Sequence, residues 1–243
     1  MSEGVIFKTI RKNPVHKGKE IEFSPNFTIR SLSRGKEIML ILADLESERK
    51  SNLMMTMGMG GFFKWLEPGQ IAKHAHLSFQ SEFGSLSFVD VRRFGRWNWG
   101  NWSENRGPDP TFEFEEFCQN IYTNGFNSRD FSKPIFEVLM NQKWFNGIGN
   151  YLRAEILYRV DLDPWTSSKL AIEKNPEILD LCRDIPLKVY ELGGGQLQDW
   201  KNPFGEVSNI SDLILCYRNP AMNNVVDVNG RRFWYDPKKI TKK

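Results

Sequence analysis

The chain has 243 residues, 40% of them hydrophobic, with 18 Phe and 8 Trp, enough for one large core or two smaller ones and too apolar for a disordered chain. A formal net charge of +3 permits a polyanionic partner without requiring one. No apolar run is long enough to span a bilayer, "MSEGVIFKTIRK" lacks the order of a secretion signal, and Cys118, Cys182 and Cys216 form no C-x-x-C pair, so a soluble, reduced protein without a membrane partner is expected.

The first half reads as β structure. Val5-Ile6-Phe7, "FTIRSLS" (27–33), "EIMLIL" (37–42), "HAHLSF" (74–79) and "SLSFVDV" (85–91) are short apolar or alternating runs between turn residues, a spacing that suggests a sandwich or barrel. The glycine-rich "MTMGMGGFF" (55–63) reads either as a flexible loop presenting Met59 or as a strand corner. His74 and His76 fall on one face of a strand, and two imidazoles without a third ligand read as structural rather than as a zinc site. "VDVRRFGRWNWGNW" (89–102) interleaves arginine with Phe94, Trp97, Trp99 and Trp102, which suits a surface that meets phosphates and bases, although a tryptophan-rich stretch more often lies in a core.

After Pro108 and Pro110 the pattern turns helical: 111–122, 133–142, 151–160, 176–182 and 210–218. A domain boundary is therefore expected near 108, giving units 1–108 and 109–243. Leu152, Ile156 and Val160 mark the buried stripe of the third helix, with Glu155 and Arg159 pairing on another face. The pattern returns to β at "NVVDVNGRRFWYDP", where Asn229-Gly230 predicts a hairpin near 225–236.

Gly147 and Gly149 stand just before the third helix. Bare backbone and unpaired helix-start N–H groups there can receive a phosphate, and a tight helix–helix turn explains the same glycines equally well. Arg231 and Arg232 follow the hairpin turn and project one to each face. Two arginines beside a turn are a weak signal alone, but with the glycine loop they make a two-point phosphate clamp.

"NQKWFNGIGNYLRAEILYR" resembles the helix-two-turn-helix signature of the formamidopyrimidine-DNA glycosylase and endonuclease VIII family, and "RGKEIMLIL", "MGMGGFF", "HAHLSF" and "FVDVRRFGRW" resemble the same family in the same order. The resemblance runs from about residue 11 to the end. It implies an α+β protein with an N-terminal β-sandwich domain and a C-terminal helical domain carrying the helix-two-turn-helix and a zincless-finger β-hairpin. It implies base-excision repair: a glycosylase with associated lyase activity, acting on double-stranded DNA with oxidised bases or abasic sites. A nuclear monomer without cofactor or metal is expected.

Residue by residue, the resemblance places Asn150 and Arg231 at phosphate, with Gly147 and Gly149 in the loop that Asn150 closes. Met59, Arg92 and Phe94 match residues that fill the space left by a flipped base, and Lys36 matches a lysine near the scissile sugar. The family's nucleophile is an N-terminal amine, whose pKa of roughly 7.7 to 8.0 leaves far more of it unprotonated at neutral pH than a lysine at roughly 10.4. Here Met1-Ser2-Glu3-Gly4 passes directly into the first strand, without the helix that the family places between them, so Ser2 is expected to supply the amine and Glu3 to shuttle protons. The alternative is a catalytically silent module that binds damaged DNA. By the same resemblance, Asn219 stands where the most similar branch of that family carries a basic residue in its lesion-reading loop, and 163–182 reads as shortened by a helix.

Overall fold

Alternating side chains in Phe27–Arg34 (β2) and Glu37–Asp44 (β3) send every second residue to one face, and the two strands pair antiparallel from Phe27↔Asp44 to Arg34↔Glu37. A computed structural model describes residues 4–194 and 209–240 of this chain. Its residues divide into two compact units, Met1–Ser103 and Glu104–Lys243.

The first unit holds two four-stranded antiparallel sheets. Lys50–Thr56 (β4) and Arg96–Trp99 (β8) extend the β2–β3 pair into the order β2-β3-β4-β8; Thr9–Lys12 (β1), Phe62–Leu66 (β5), Ala75–Ser81 (β6) and Gly84–Val89 (β7) form β1-β6-β7-β5. One apolar cluster draws on both sheets, with Phe27, Leu42 and Leu53 from the first and Leu77, Phe79 and Phe88 from the second, all fully buried. Each such side chain contributes about 1.5–3 kcal/mol relative to exposure, so the faces hold each other. The glycine-rich stretch is a strand–turn–strand corner between β4 and β5. Val5-Ile6-Phe7 makes a single bridge, Phe7 to Phe27, and the regular first strand begins at Thr9.

His74 lies in a turn at φ +66 instead of in the strand with His76. The neighbour of His76 is His16, at 5.0 Å between ring centroids, and His16 stacks on Trp97 at 4.2 Å. Of the tryptophans in 97–102, Trp97 belongs to the core while Trp99 is exposed.

In the second unit, Phe114–Asn120 (α1) runs into a π-helical turn, Ile121–Gly125. Ile135–Val138 (α2) is one turn long; past it the Met140 and Asn141 N–H groups reach back only three residues, to the Glu137 and Val138 carbonyls. Asn150–Arg159 (α3) is the central helix. Ser168–Lys174 (α4) forms within the stretch read as shortened, and Glu177–Glu191 (α5) continues well past Cys182 through Pro186. Ile178, Cys182, Ile185 and Val189 make a stripe buried against the core, and that burial outweighs the one backbone bond proline removes. Among the described residues no helix is long and apolar enough to cross a membrane.

One expectation for this unit fails, and a buried carboxylate is the reason. Helix α3 buries Leu152 and Ile156, with Val160 buried at its C-cap, and Glu155 pairs with Arg159 at 2.7 Å, all as expected; the Glu155 carboxylate is itself buried. The segment 210–218 is not a helix; only Asn209–Asp212 forms a 3-10 turn. Glu155 takes the N–H groups of Leu215, Cys216 and Tyr217 at 2.8–3.0 Å, so those amides have no use for helical carbonyls. Asn223–Val226 (β9) and Arg232–Tyr235 (β10) close the fold as an antiparallel hairpin.

Candidate nucleic-acid interface

The glycine loop is built around Gln142. Its amide accepts the Gly147 N–H at 3.1 Å and donates to the Met140 and Ile148 carbonyls, holding the chain in a tight curl. Gly147 sits at φ +94, where a side chain would be strained. Gly149 is extended and serves as the N-cap of α3, so it matters for close approach and not for a left-handed turn. Asn150 is the first helical residue. One N–H of its Nδ2 donates to the Arg232 carbonyl at 2.9 Å, and among the described residues the second, on the partly exposed end of the helix, meets no acceptor.

The hairpin loop 227–231 is organised by Asp227. Its Oδ1 accepts the N–H groups of Asn229 and Arg231, each at 2.9 Å, while its carbonyl accepts that of Gly230, whose φ of +74 lets the chain return. Arg231 and Arg232 are both exposed beside this rigid tip. Asp227 Oδ2 accepts from the Arg153 guanidinium at 2.9 Å, and both side chains are almost wholly buried. Arg153 also donates to the Phe136 carbonyl at 3.0 Å and to Asn150 Oδ1, and it lies 4.9 Å over the Phe233 ring. Burial lowers the Arg153 pKa, with Asp227 opposing it. Burial would raise that of Asp227, but the amides of Arg231 and Asn229 and the guanidinium outweigh it and hold the carboxyl below its usual range.

Met59, Arg92 and Phe94 come together on the first unit. Met59 tops the β4–β5 turn with 77% of its surface exposed, Arg92 reaches its sulfur at 3.7 Å, and the same guanidinium lies 4.6 Å over the Phe94 ring. Asp90 fixes this arrangement: buried, it accepts the N–H groups of Arg92 at 3.1 Å and Gly95 at 2.8 Å. A Cβ on Gly58 would meet the Phe94 backbone and Cβ at 2.9–3.0 Å, so the two loops touch through glycine.

Lys36 is an exposed residue of the two-residue β2–β3 turn, after Gly35 at φ +57. Its neighbour Glu37 is buried and accepts both the N–H and the hydroxyl of Ser103, which anchors the base of the turn. Ser2 and Glu3 lie outside the described residues. Gln142, Asp90, Arg153 and Asp227 carry the geometry, and sequence reasoning missed all four. For Arg153 the signal was its three-residue spacing from Asn150, which puts both on one face of the helix; for Asp227, a carboxylate two residues before Asn229 at a turn.

The model of the formamidopyrimidine-DNA glycosylase N-terminal domain matches residues 7–97, and that described as "Endonuclease VIII-like 1, DNA bind" matches 208–238. Human Endonuclease 8-like 1 is 33% identical over 93% of this chain and 65% of its own length; the mouse protein is 32% identical over 96% and 68%. The chain thus spans about two thirds of the length of these relatives. A Lactococcus lactis FPG mutant solved with Fapy-dG-containing DNA superposes with a TM-score of 0.80 at 20% identity, covering 99% of this chain and 95% of that one, and so shares the fold.

Proposed function

The chain belongs to the formamidopyrimidine-DNA glycosylase and endonuclease VIII-like family, and on that premise we propose that it is a base-excision repair enzyme, a DNA glycosylase with associated AP lyase activity. Its partner is double-stranded DNA carrying an oxidised base or an abasic site, which places its work in the nucleus. Ring-opened purines, the lesion class in the Lactococcus complex, are among its substrates.

The observation that carries this reading is the hydrogen bond from Asn150 to the Arg232 carbonyl, which joins two phosphate-seeking motifs 82 residues apart in sequence. The segment from α2 through the glycine loop to α3 acts as the helix-two-turn-helix, and β9–β10 acts as the zincless finger. The second N–H of Asn150, the helix start at Gly149 and the Arg231 guanidinium grip the backbone of the strand, while Gly147, whose N–H is taken by Gln142, keeps the loop free of side chains for close approach. Met59, Arg92 and Phe94 fill the space that a flipped base leaves, with two apolar groups for stacking and one cation for the orphaned partner base.

The chemistry is assigned to the N-terminal segment. The Ser2 amine attacks the anomeric carbon of the sugar as the glycosidic bond breaks and the base departs with a proton. The amine then gives up a proton while the ring C–O bond opens to leave the imine. Glu3 carries protons between these groups, and Lys36 steadies the neighbouring phosphate. Borohydride reduction of the Met-processed protein on abasic-site DNA tests this. A covalent crosslink that disappears when the Ser2 amine is acetylated is the expected result. A crosslink that survives acetylation reassigns the amine to a lysine. Intact binding with no crosslink would leave a silent damaged-DNA binder.

A further inference from the structure

We propose that Arg153 is the positioning residue that makes Asn150 and Arg231 a single grip; the proposal rests on the DNA-binding reading above. Arg153 touches no ligand itself, being fully buried. It bonds at once to the helix-start residue, through Asn150 Oδ1, and to the hairpin, through Asp227 Oδ2. From Asp227 the connection reaches the Arg231 backbone N–H at 2.9 Å. A two-stranded hairpin of four-residue strands is marginal alone, and this one is fastened from below: Phe136 and Phe233 stack at 4.9 Å between centroids, and the guanidinium plane covers Phe233. Arginine suits the position because its planar fork serves three acceptors in fixed directions: Asn150 Oδ1, the Phe136 carbonyl and Asp227. An ammonium group on a flexible stem has no such geometry.

The consequence is that the two phosphate contacts are not independent. With Arg153 in place, the amide of Asn150 is turned with Oδ1 inward and Nδ2 toward the hairpin, and the tip carrying Arg231 is fixed to the same helix. Without it, Asn150 is free to turn over and the hairpin tip to drift, so a buried residue controls how many phosphates the protein neutralises.

The test is the salt dependence of binding to a duplex containing a tetrahydrofuran abasic analogue, measured by fluorescence anisotropy at a temperature where circular dichroism shows each variant folded. Each neutralised phosphate adds about 0.9 to the slope of log Kobs against log salt. Arg153→Met is expected to lower the slope by that amount and to weaken binding about tenfold. It should match Arg231→Ala, and the two changes together should cost no more than either alone. Arg153→Lys should fail to restore the slope. Should Arg153→Met not fold, Arg153→Met/Asp227→Asn carries the same measurement, because Asn keeps the acceptor for the turn amides and leaves no buried charge unpaired.

A folded variant with wild-type slope, whatever its melting temperature, overturns the positioning role and reduces Arg153 to a packing residue. Additive losses overturn it as well. A wild-type chain without salt-dependent binding would instead overturn the DNA reading, and the proposal with it.

Discussion

The Glu155 carboxylate, buried in the middle of α3, accepts the Cys216 N–H at 2.9 Å across 61 residues of sequence. The same carboxylate takes the N–H groups of Leu215 and Tyr217 and pairs with Arg159, whose other nitrogen donates to the Leu213 carbonyl at 2.8 Å. One side chain thereby shapes the loop that leads into β9. Glu155→Ala is expected to destabilise the fold by about 3–5 kcal/mol, the usual result of stranding one half of a buried pair. Glu155→Gln, which keeps one acceptor oxygen, should cost clearly less. Urea unfolding midpoints decide it, and a loss under about 1 kcal/mol for the alanine variant would contradict the assignment.

Removal of the Phe94 ring, Phe94→Ala, should reduce excision from duplex DNA about tenfold, consistent with a stacking contact of about 1–3 kcal/mol. Excision from single-stranded DNA should change little, because no opposite base is orphaned there. Equal losses on both substrates would show that Phe94 does not fill a void in the duplex.

Acid should weaken the first unit through His16. Its pKa is lowered from the ordinary 6.5, first by burial and then by the charges of His76, Arg96 and Lys12, with Asp90 opposing. Above the unfolded pKa neither state holds the proton, and this contribution to stability is complete. As pH falls through 6.5 the unfolded chain takes up its proton before the folded one does, so stability declines until the folded pKa has also been passed. His16→Phe, which keeps a ring for stacking on Trp97, should flatten that decline when urea midpoints are followed from about pH 7.5 to about pH 5.

Lys239 closes the far end of α3. Its ammonium donates to the carbonyls of Leu157, Tyr158 and Val160, and burial lowers its pKa. Lys239→Met should preserve the stem packing and lose the cap, lowering stability by about 1–2 kcal/mol. A differential scanning calorimeter would register this as a drop in Tm; an unchanged Tm would place those carbonyls in the care of water.

The parts of the site that could be read from sequence are those whose signal is local. Gly147, Gly149 and Asn150 stand together, and Asn229-Gly230 marks its own hairpin with Arg231 alongside. What escaped reading depends on partners far along the chain. Arg153 and Asp227 are 74 residues apart, and each taken alone looks like an ordinary solvated charge. Leu213-Ile214-Leu215 has the apolar density of a helix, but a carboxylate on another element claims the amides that follow. Asp90 likewise gives no hint in "FVDVRRF" that its oxygens hold the turn bearing Arg92 and Phe94.

The bond between Asn150 and Arg232 also orders events during synthesis. At roughly 5–20 residues per second, 82 residues separate the two by about 4 to 16 s of translation. For most of that interval, 74 residues of it, the nascent chain holds Arg153 without Asp227, and for all of it α3 lacks the lysine that closes it. A half-made protein therefore lacks the assembled grip and has little hold on nucleic acid while still on the ribosome; the capacity to bind arrives late and all at once.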